Sequence, residues 1–363
     1  MRFTIIAGPR QRADLGQTAA ECWRNYVDDA VLAEELGFDA YAIGEHHFCF
    51  AAGNSSPLVM LTEIAARTSR IRLGTGIICA PFHNPLRLAE DIAALDIASN
   101  GRFDLGIGVG SQWEEFRTFG IDSDERFGRT WEIIDIIERC LYSPVDEVFD
   151  WNGKYYNFPG IRWIMQPVQE RIPIFWGGFG PQGAARAAKR GYHLLAWDIT
   201  GAFQRTIAED GRNPADYLIG FANVISIADT QDEALAASAE PCTFTTNQYA
   251  LRTGLDGDVP PPEFAYTVDE IIAFSKAGQY GAALPRNPDD PKPPPFLVPI
   301  AGTHEDILEQ FMPVVRGERG VLTNLCVSVR EPGTSTEHAH STMRRFAAEV
   351  MPVLKEEAAK HGR

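Results

Sequence analysis

The first 110 residues repeat one arrangement, a short β-rich apolar run followed by an amphipathic helix, and that alternation leaves few folds open. Strands joined by helical crossovers lie parallel, in a sheet whose faces the helices cover. The runs at 3–7, 40–43, 71–78 and 103–107 carry few charges, as strands buried on both faces do. Between the first two, Thr18 precedes Glu21 at capping-box spacing, Trp23, Val27, Ala30 and Val31 make one apolar stripe, and Gly37 ends the helix. Asn84 and Pro85 open another helix, with Leu88, Ile92 and Leu95 inward and Asn100-Gly101 as its stop. Phe127, Trp131, Ile134 and Ile137 predict a further helix over 126–141.

Residues 148–164 change period to a hairpin-like stretch turning at Asn152-Gly153, which we read as an insertion. The alternation resumes with strands at 172–176, 192–197 and 217–226, an alanine-rich helix ending at Gly191, a helix from Glu305, a strand at 321–329 and a last helix from Glu337 to about Val350. The expected fold is a (β/α)8 TIM barrel with insertions, one domain over 1–363. Within it, 252–300 is dense in proline, from Pro260-Pro261-Pro262 to a second cluster beginning at Pro285, and is expected to lack regular structure. Such a segment is either an active-site lid or an exposed or oligomer-contacting insertion.

Charge narrows the partners. A formal charge of −16 opposes a nucleic acid or an anionic membrane. No basic start followed by an apolar run and no stretch of bilayer length is present, so the cytoplasm is expected. Six scattered cysteines without a CxxC pair read as reduced core residues.

In a parallel barrel the reactive groups stand at the carboxyl ends of the strands. After the second strand come Gly44-Glu45-His46-His47-Phe48, a carboxylate beside two imidazoles. An imidazole titrates near neutrality, so His46 is the candidate acid/base, with Glu45 or His47 orienting it. The same residues could instead hydrogen-bond a loop, or His46 could join His83 at a metal. Without HxH, HExxH or carboxylates at other strand ends, no metal is expected. Gly74-Thr75-Gly76-Ile77 sets glycines in a buried strand, for a flat ring lying against it or for a barrel bend. The run from Gly106 to Ser111, including Gly108 and Val109, is glycine-rich but matches neither standard phosphate-loop spacing. A better anion site is the turn Trp176-Gly177-Gly178-Phe179-Gly180-Pro181-Gln182-Gly183, where backbone amides and a helix start come together; a plain tight turn is the other reading.

At these residues the chain resembles the bacterial luciferase-like monooxygenases. GEHHF at 44–48, IRLGTGI at 71–77, NPLRLAEDIAALDIASNGRFDLGIGVGSQWEEFRTFG at 84–120 and PIFWGG at 173–178 follow the family's order and spacing, and EVMPVLKEEA at 349–358 is similar to its last helix. The resemblance implies a barrel binding reduced flavin mononucleotide, FMN, supplied by a separate NAD(P)H:flavin reductase. Oxygen would add at the flavin C4a atom, and the C4a-peroxyflavin would oxidise a small organic substrate. His46 falls on the family's catalytic histidine, and Gly76-Ile77 on a position where relatives carry a non-prolyl cis peptide against the ring. Gly177, Gly178, Phe179, Gly180 and Gly183 fall on the phosphate region, and Trp197 on a pocket-lining aromatic. Beside Gly108, Val109 stands where luciferase alpha subunits have an arginine, and Gly180 and Gly183 stand where they have hydroxyls, so the phosphate would rest on backbone amides. The alternatives are a 5-deazaflavin-dependent dehydrogenase or reductase and a non-catalytic flavin-binding or partner subunit. The EHHF block favours the flavin enzyme. A homodimer is expected of such a relative.

Overall fold

The alternation builds a closed parallel barrel in the computed structural model, which describes residues 1–48, 54–198, 200–250, 265–280, 292, 294–318 and 320–362. Its strands are β1 (Arg2–Ala7), β2 (Ala40–Ile43), β3 (Arg72–Thr75), β4 (Phe103–Gly108), β5 (Ile174–Trp176), β6 (His193–Leu194), β7 (Ala222–Ile227) and β8 (Asn324–Ser328). Pairing runs β7-β8-β1-β2-β3-β4-β5-β6, and a bridge from Leu194 to Ile219, just before β7, closes the ring. Thr4 stands beside Ala40 and Cys326, and Ala40 beside Arg72, so the carboxyl ends of β1, β2 and β3 share one rim. A short strand, Ile300–Gly302, extends the far half of β7.

The strands form where the apolar runs predict them because both faces are covered. Phe3, Ile5, Tyr41, Ile43, Leu73, Phe103, Leu105 and Ile107 are all buried and belong to one apolar cluster. Helix Ala19–Glu35 starts on a complete capping box, Thr18 accepting from the Glu21 N–H while Glu21 accepts from the Thr18 N–H. Asn84 accepts from the Leu86 and Arg87 amides at the start of Pro85–Ala98. Helix Arg126–Leu141 and the antiparallel arms Val148–Asn152 and Asn157–Arg162 also stand where expected.

Five expectations need correction. The run at 71–78 is interrupted after Thr75 by a cis peptide between Gly76 and Ile77 and resumes as Ile78–Cys79. Strand β6 keeps only two of the six residues expected at 192–197, and β7 starts at Ala222 rather than 217, since Ile219 makes only an isolated bridge. The last helix passes Val350: Thr336–Arg345 runs through a π-turn, Phe346–Val350, into Met351–Lys360, where Pro352 occupies a first-turn position that needs no N–H donor. Residues 252–300 contain regular structure after all, helix Val268–Lys276 with a capping box of Thr267 and Glu270. The triple proline at 260–262 and most of the second proline cluster lie outside the described residues. Cys22, Cys79, Cys140, Cys242 and Cys326 are buried and form no disulfide with one another. Among the described residues no helix is long and apolar enough to cross a membrane.

Candidate active site

The ends of β2, β3, β4 and β5 surround a cavity of about 400 Å³. It gathers Glu45, His46, Gly76, Ile77, Val109, Gly177, Gly178, Phe179, Gly180 and Gly183, residues that lie far apart in sequence. Two of the expected cofactor contacts do not line it. Gly108 sits behind the wall, where an added Cβ would lie 2.5 Å from Ile77 Cδ1 and 2.7 Å from the Gly177 carbonyl oxygen. Trp197 lines a neighbouring cavity of about 320 Å³ with Phe221 and Phe311, which meets the first at Phe296.

One wall is the backbone leaving β3. The Gly76 N–H donates to Ile43 O at 2.8 Å and the Glu45 N–H to Ile77 O at 3.2 Å, which ties the two loops together. The opposite wall is the turn after β5. Gly180 begins helix Pro181–Lys189 without any side-chain cap, so the first-turn amides and the helix dipole favour an anion there. Beneath the turn the Trp176 indole is stacked on Trp131, and its Nε1 is a buried donor without a partner among the described residues. A Cβ on Gly178 or Gly183 would lie 2.8 or 2.9 Å from that nitrogen.

The acid/base residues divide into two clusters. Glu45, which is 2% exposed, accepts from His47 Nε2 at 2.8 Å and His83 Nε2 at 2.7 Å through one oxygen and from the Cys79 N–H at 2.5 Å through the other. Burial alone would raise its pKa, but the donors from His47, His83 and Cys79 outweigh it and hold the carboxyl below its ordinary value. His46 points the other way. Its Nε2 lies 2.7 Å from the Tyr249 hydroxyl and its Nδ1 3.4 Å from Glu115 Oε1, which also accepts the His47 N–H at 2.7 Å. Burial lowers the His46 pKa, Glu115 pulls it back up, and Arg10 adds to the lowering, so the ring is neutral at neutral pH.

The expected orientation of His46 by Glu45 or His47 is therefore corrected. Consecutive side chains leaving a strand point to opposite sides, and Glu45 serves His47 and His83 instead. The pairing of His46 with His83 as metal ligands fails for the same reason. Ligand atoms of Glu45, His47 and His83 do come within 4.8 Å of one another, in the arrangement of a hydrogen-bonded buried carboxylate.

The match to known proteins follows this geometry. The family model described as luciferase-like monooxygenase matches residues 1–320. The chain belongs to that family. A 4-hydroxyprotoasukamycin monooxygenase from Streptomyces nodosus subsp. asukaensis is 30% identical over 247 residues, 62% of this chain and 65% of that one. The oxygenase component of a flavin-dependent trigonelline monooxygenase from Acinetobacter baylyi is 30% identical over 178 residues, 48% of each. The chain thus spans between 48% and 65% of the length of these two relatives. Monooxygenase RslO1 from Streptomyces bottropensis has the same fold, with a TM-score of 0.79 at 24% identity, covering 97% of this chain and 99% of that one. An F420-dependent secondary alcohol dehydrogenase shares the fold too, with a TM-score of 0.67 at 18% identity over 97% and 98%.

In this luciferase-like chain, three residues at the site escape a reading of the sequence. Tyr249 comes from helix Gln231–Ala250, whose apolar residues do not follow one face. Glu115 lies within the family's 84–120 block, in the first turn of helix Trp113–Phe119, a position where a carboxylate reads as an ordinary helix-start residue. Arg10 follows β1 and donates to the Tyr249 hydroxyl at 2.7 Å. Only the last carried a signal, a cation at a strand's carboxyl end.

Proposed function

We propose that this protein is a flavin-dependent monooxygenase that holds reduced FMN and oxidises a small organic substrate with dioxygen, fed by a separate NAD(P)H:flavin reductase. The observation that carries the reading is the cavity bounded by the β3 backbone on one side and the uncapped glycine turn on the other. Its residues fit the cofactor. A flat ring suits the wall at Gly76 and Ile77, and a phosphate suits the amides of the Gly177–Gly183 turn above the unpartnered Trp176 N–H. Bound reduced FMN would supply the electrons that activate dioxygen. The chain's part is to bind and orient it, to keep water out with Val109, Phe127, Phe179 and Phe296, and to manage protons at His46. The relative named as a flavin-dependent oxygenase component supports both the cofactor and the reductase. A homodimer in the cytoplasm belongs to the same reading.

The F420-dependent enzyme of the same fold favours a second reading, hydride transfer with a 5-deazaflavin. Anaerobic titration with reduced FMN and, separately, with reduced deazaflavin, followed by mixing with oxygen, separates them. Tight binding of FMN and oxygen consumption coupled to substrate oxidation is the expected result. Binding of the deazaflavin alone, without an oxygen reaction, sinks the monooxygenase reading, and flavin binding with no turnover of any kind points to a non-catalytic subunit.

The glycine turn adds a prediction. An added Cβ at Gly180 would meet nothing within 4 Å, whereas one at Gly183 would press on the Trp176 indole. Gly180→Ser is expected to fold normally, place a hydroxyl donor beside the phosphate and tighten reduced FMN binding about 3–10-fold. Gly183→Ser is expected to weaken it. Equilibrium titration compares the two, and equal affinities in both variants would count against the turn as the phosphate site.

A further inference from the structure

We propose that the cavity of about 320 Å³ beside β7 binds the organic substrate, and that this substrate is a neutral, largely apolar molecule whose reacting end passes Phe296 into the flavin chamber. The inference deepens the flavin reading of the adjoining cavity of about 400 Å³ and rests on it. Three cavities meet at Phe296: this one, the flavin chamber, and a smaller one of about 160 Å³ that His46 and Gly76 also line. Phe221, Ala222, Val224 and Leu297 form a second wall, shared between the substrate cavity and the smallest one. A molecule seated beside β7 is therefore separated from the flavin chamber by a side chain rather than by a strand.

The cavity exists because the barrel wall parts there. Strand β6 holds only His193 and Leu194, and the chain leading into β7 meets it through one bridge at Ile219. Further along, Ile225–Ile227 pair instead with the short strand Ile300–Gly302. Between these two contacts, Ala222, Asn223 and Val224 pair with β8, and among the described residues no strand pairs with their other edge. Helix His304–Arg316 closes the gap from outside with Phe311 and Val314.

The lining selects the class of ligand. Trp197, Phe221, Phe296 and Phe311 supply aromatic faces, and Ile300 and Leu325 aliphatic ones. Among the described residues none that lines this cavity carries a charge. An ionised group buried there would lose its water and find no charged partner among them, so a neutral ligand is favoured over a carboxylate or an ammonium. Two neutral amides, Asn223 and Gln310, interrupt the apolar wall, and since an amide both donates and accepts, one hydroxyl or carbonyl on the ligand is accommodated. Across Phe221 the character changes, for Arg10, His46 and Glu331 line the smallest cavity. Polarity thus rises along the path, which seats the apolar body beside β7 and directs the reacting group toward His46. At the packing density of a protein interior, a volume of about 320 Å³ holds roughly ten to fifteen non-hydrogen atoms.

Equilibrium dialysis of the full-length protein tests this with two probes of about thirteen non-hydrogen atoms each, the neutral 2-acetylnaphthalene and the anionic 2-naphthoate. The ketone is expected to bind with a Kd below about 1 mM, and the carboxylate at least about 30-fold more weakly. Gln310→Lys sets a cation in the lining from a partly exposed helix position. It is expected to weaken the ketone at least about fivefold and to bring the carboxylate to parity with it or better. A three-ring homologue, 2-acetylanthracene, is expected to bind the parent at least about tenfold more weakly than the two-ring ketone, and Phe296→Ala, which joins the cavities, to reduce that gap to within about threefold. Saturating reduced FMN is expected to leave the two-ring ketone bound to the parent, since the two occupy different cavities. Displacement of the ketone by reduced FMN, equal affinity for ketone and carboxylate, a folded Gln310→Lys variant that keeps the parent preference, or three-ring discrimination that survives Phe296→Ala would each overturn the proposal. If reduced FMN does not bind the parent protein, the flavin reading falls, and the Gln310 and Phe296 variants still decide where the neutral probe sits.

Discussion

Asp29→Ala is expected to unfold about 3–5 kcal/mol more easily than the parent protein. The carboxylate, 1% exposed, receives Arg330 Nε at 2.5 Å and Nη2 at 2.7 Å in a two-pronged pair, with His340 Nε2 at 2.9 Å. Asp29 lies on the first long helix and Arg330 just beyond β8, so the pair bolts the beginning of the barrel to its end across 301 residues. Truncating the acid strands a guanidinium that is 5% exposed, and most of the cost is that uncompensated charge rather than the worth of the pair. A second change, Arg330→Met, removes the stranded charge and is expected to recover more than half of the loss. Urea unfolding of the two single variants and the double variant measures this. A double variant as unstable as Asp29→Ala would show that packing, not charge, dominates there.

The parts of the fold that sequence reveals are those whose signals are local. Thr18 and Glu21, Asn84 and Pro85, and the apolar spacing over 126–141 each act within a turn or two of helix, and each element stands where it was expected. Strand β6 was overdrawn because an apolar run from Tyr192 to Trp197 does not reveal that the ring needs only His193 and Leu194 there. Helix Gln231–Ala250 was missed because its alanines, serines and threonines form no apolar stripe and Pro241 interrupts it, so tertiary packing, not periodicity, holds it. The site divides in the same way. The glycine turn and His46 follow strand ends and could be found from the alternation. The partners of His46 could not, since Glu115 and Tyr249 reach it from 69 and 203 residues away. Adjacency in GEHHF pointed instead to Glu45, which the geometry turns toward His83.

His46→Gln is expected to leave reduced FMN bound within about threefold of the parent affinity while lowering coupled substrate oxidation by roughly 10²–10³-fold. The imidazole borders the cavity rather than the glycine turn, so binding energy and proton chemistry separate at this residue. Glutamine keeps a side chain of similar reach and can still hydrogen-bond Tyr249, but it cannot accept and release a proton. The substitution also has a signature in stability. His46 is held below its ordinary pKa of 6.5, so between that value and its folded-state pKa the unfolded chain binds a proton that the folded chain refuses. Its contribution to stability is therefore present above about pH 6.5 and is lost as the pH falls below it. The glutamine variant lacks this liability and should lose less stability than the parent between about pH 7 and pH 5, as urea unfolding at the two values measures. Substrate oxidation at the parent rate would remove His46 from the chemistry, and equal acid sensitivity in both proteins would show that its ring is not held neutral by burial.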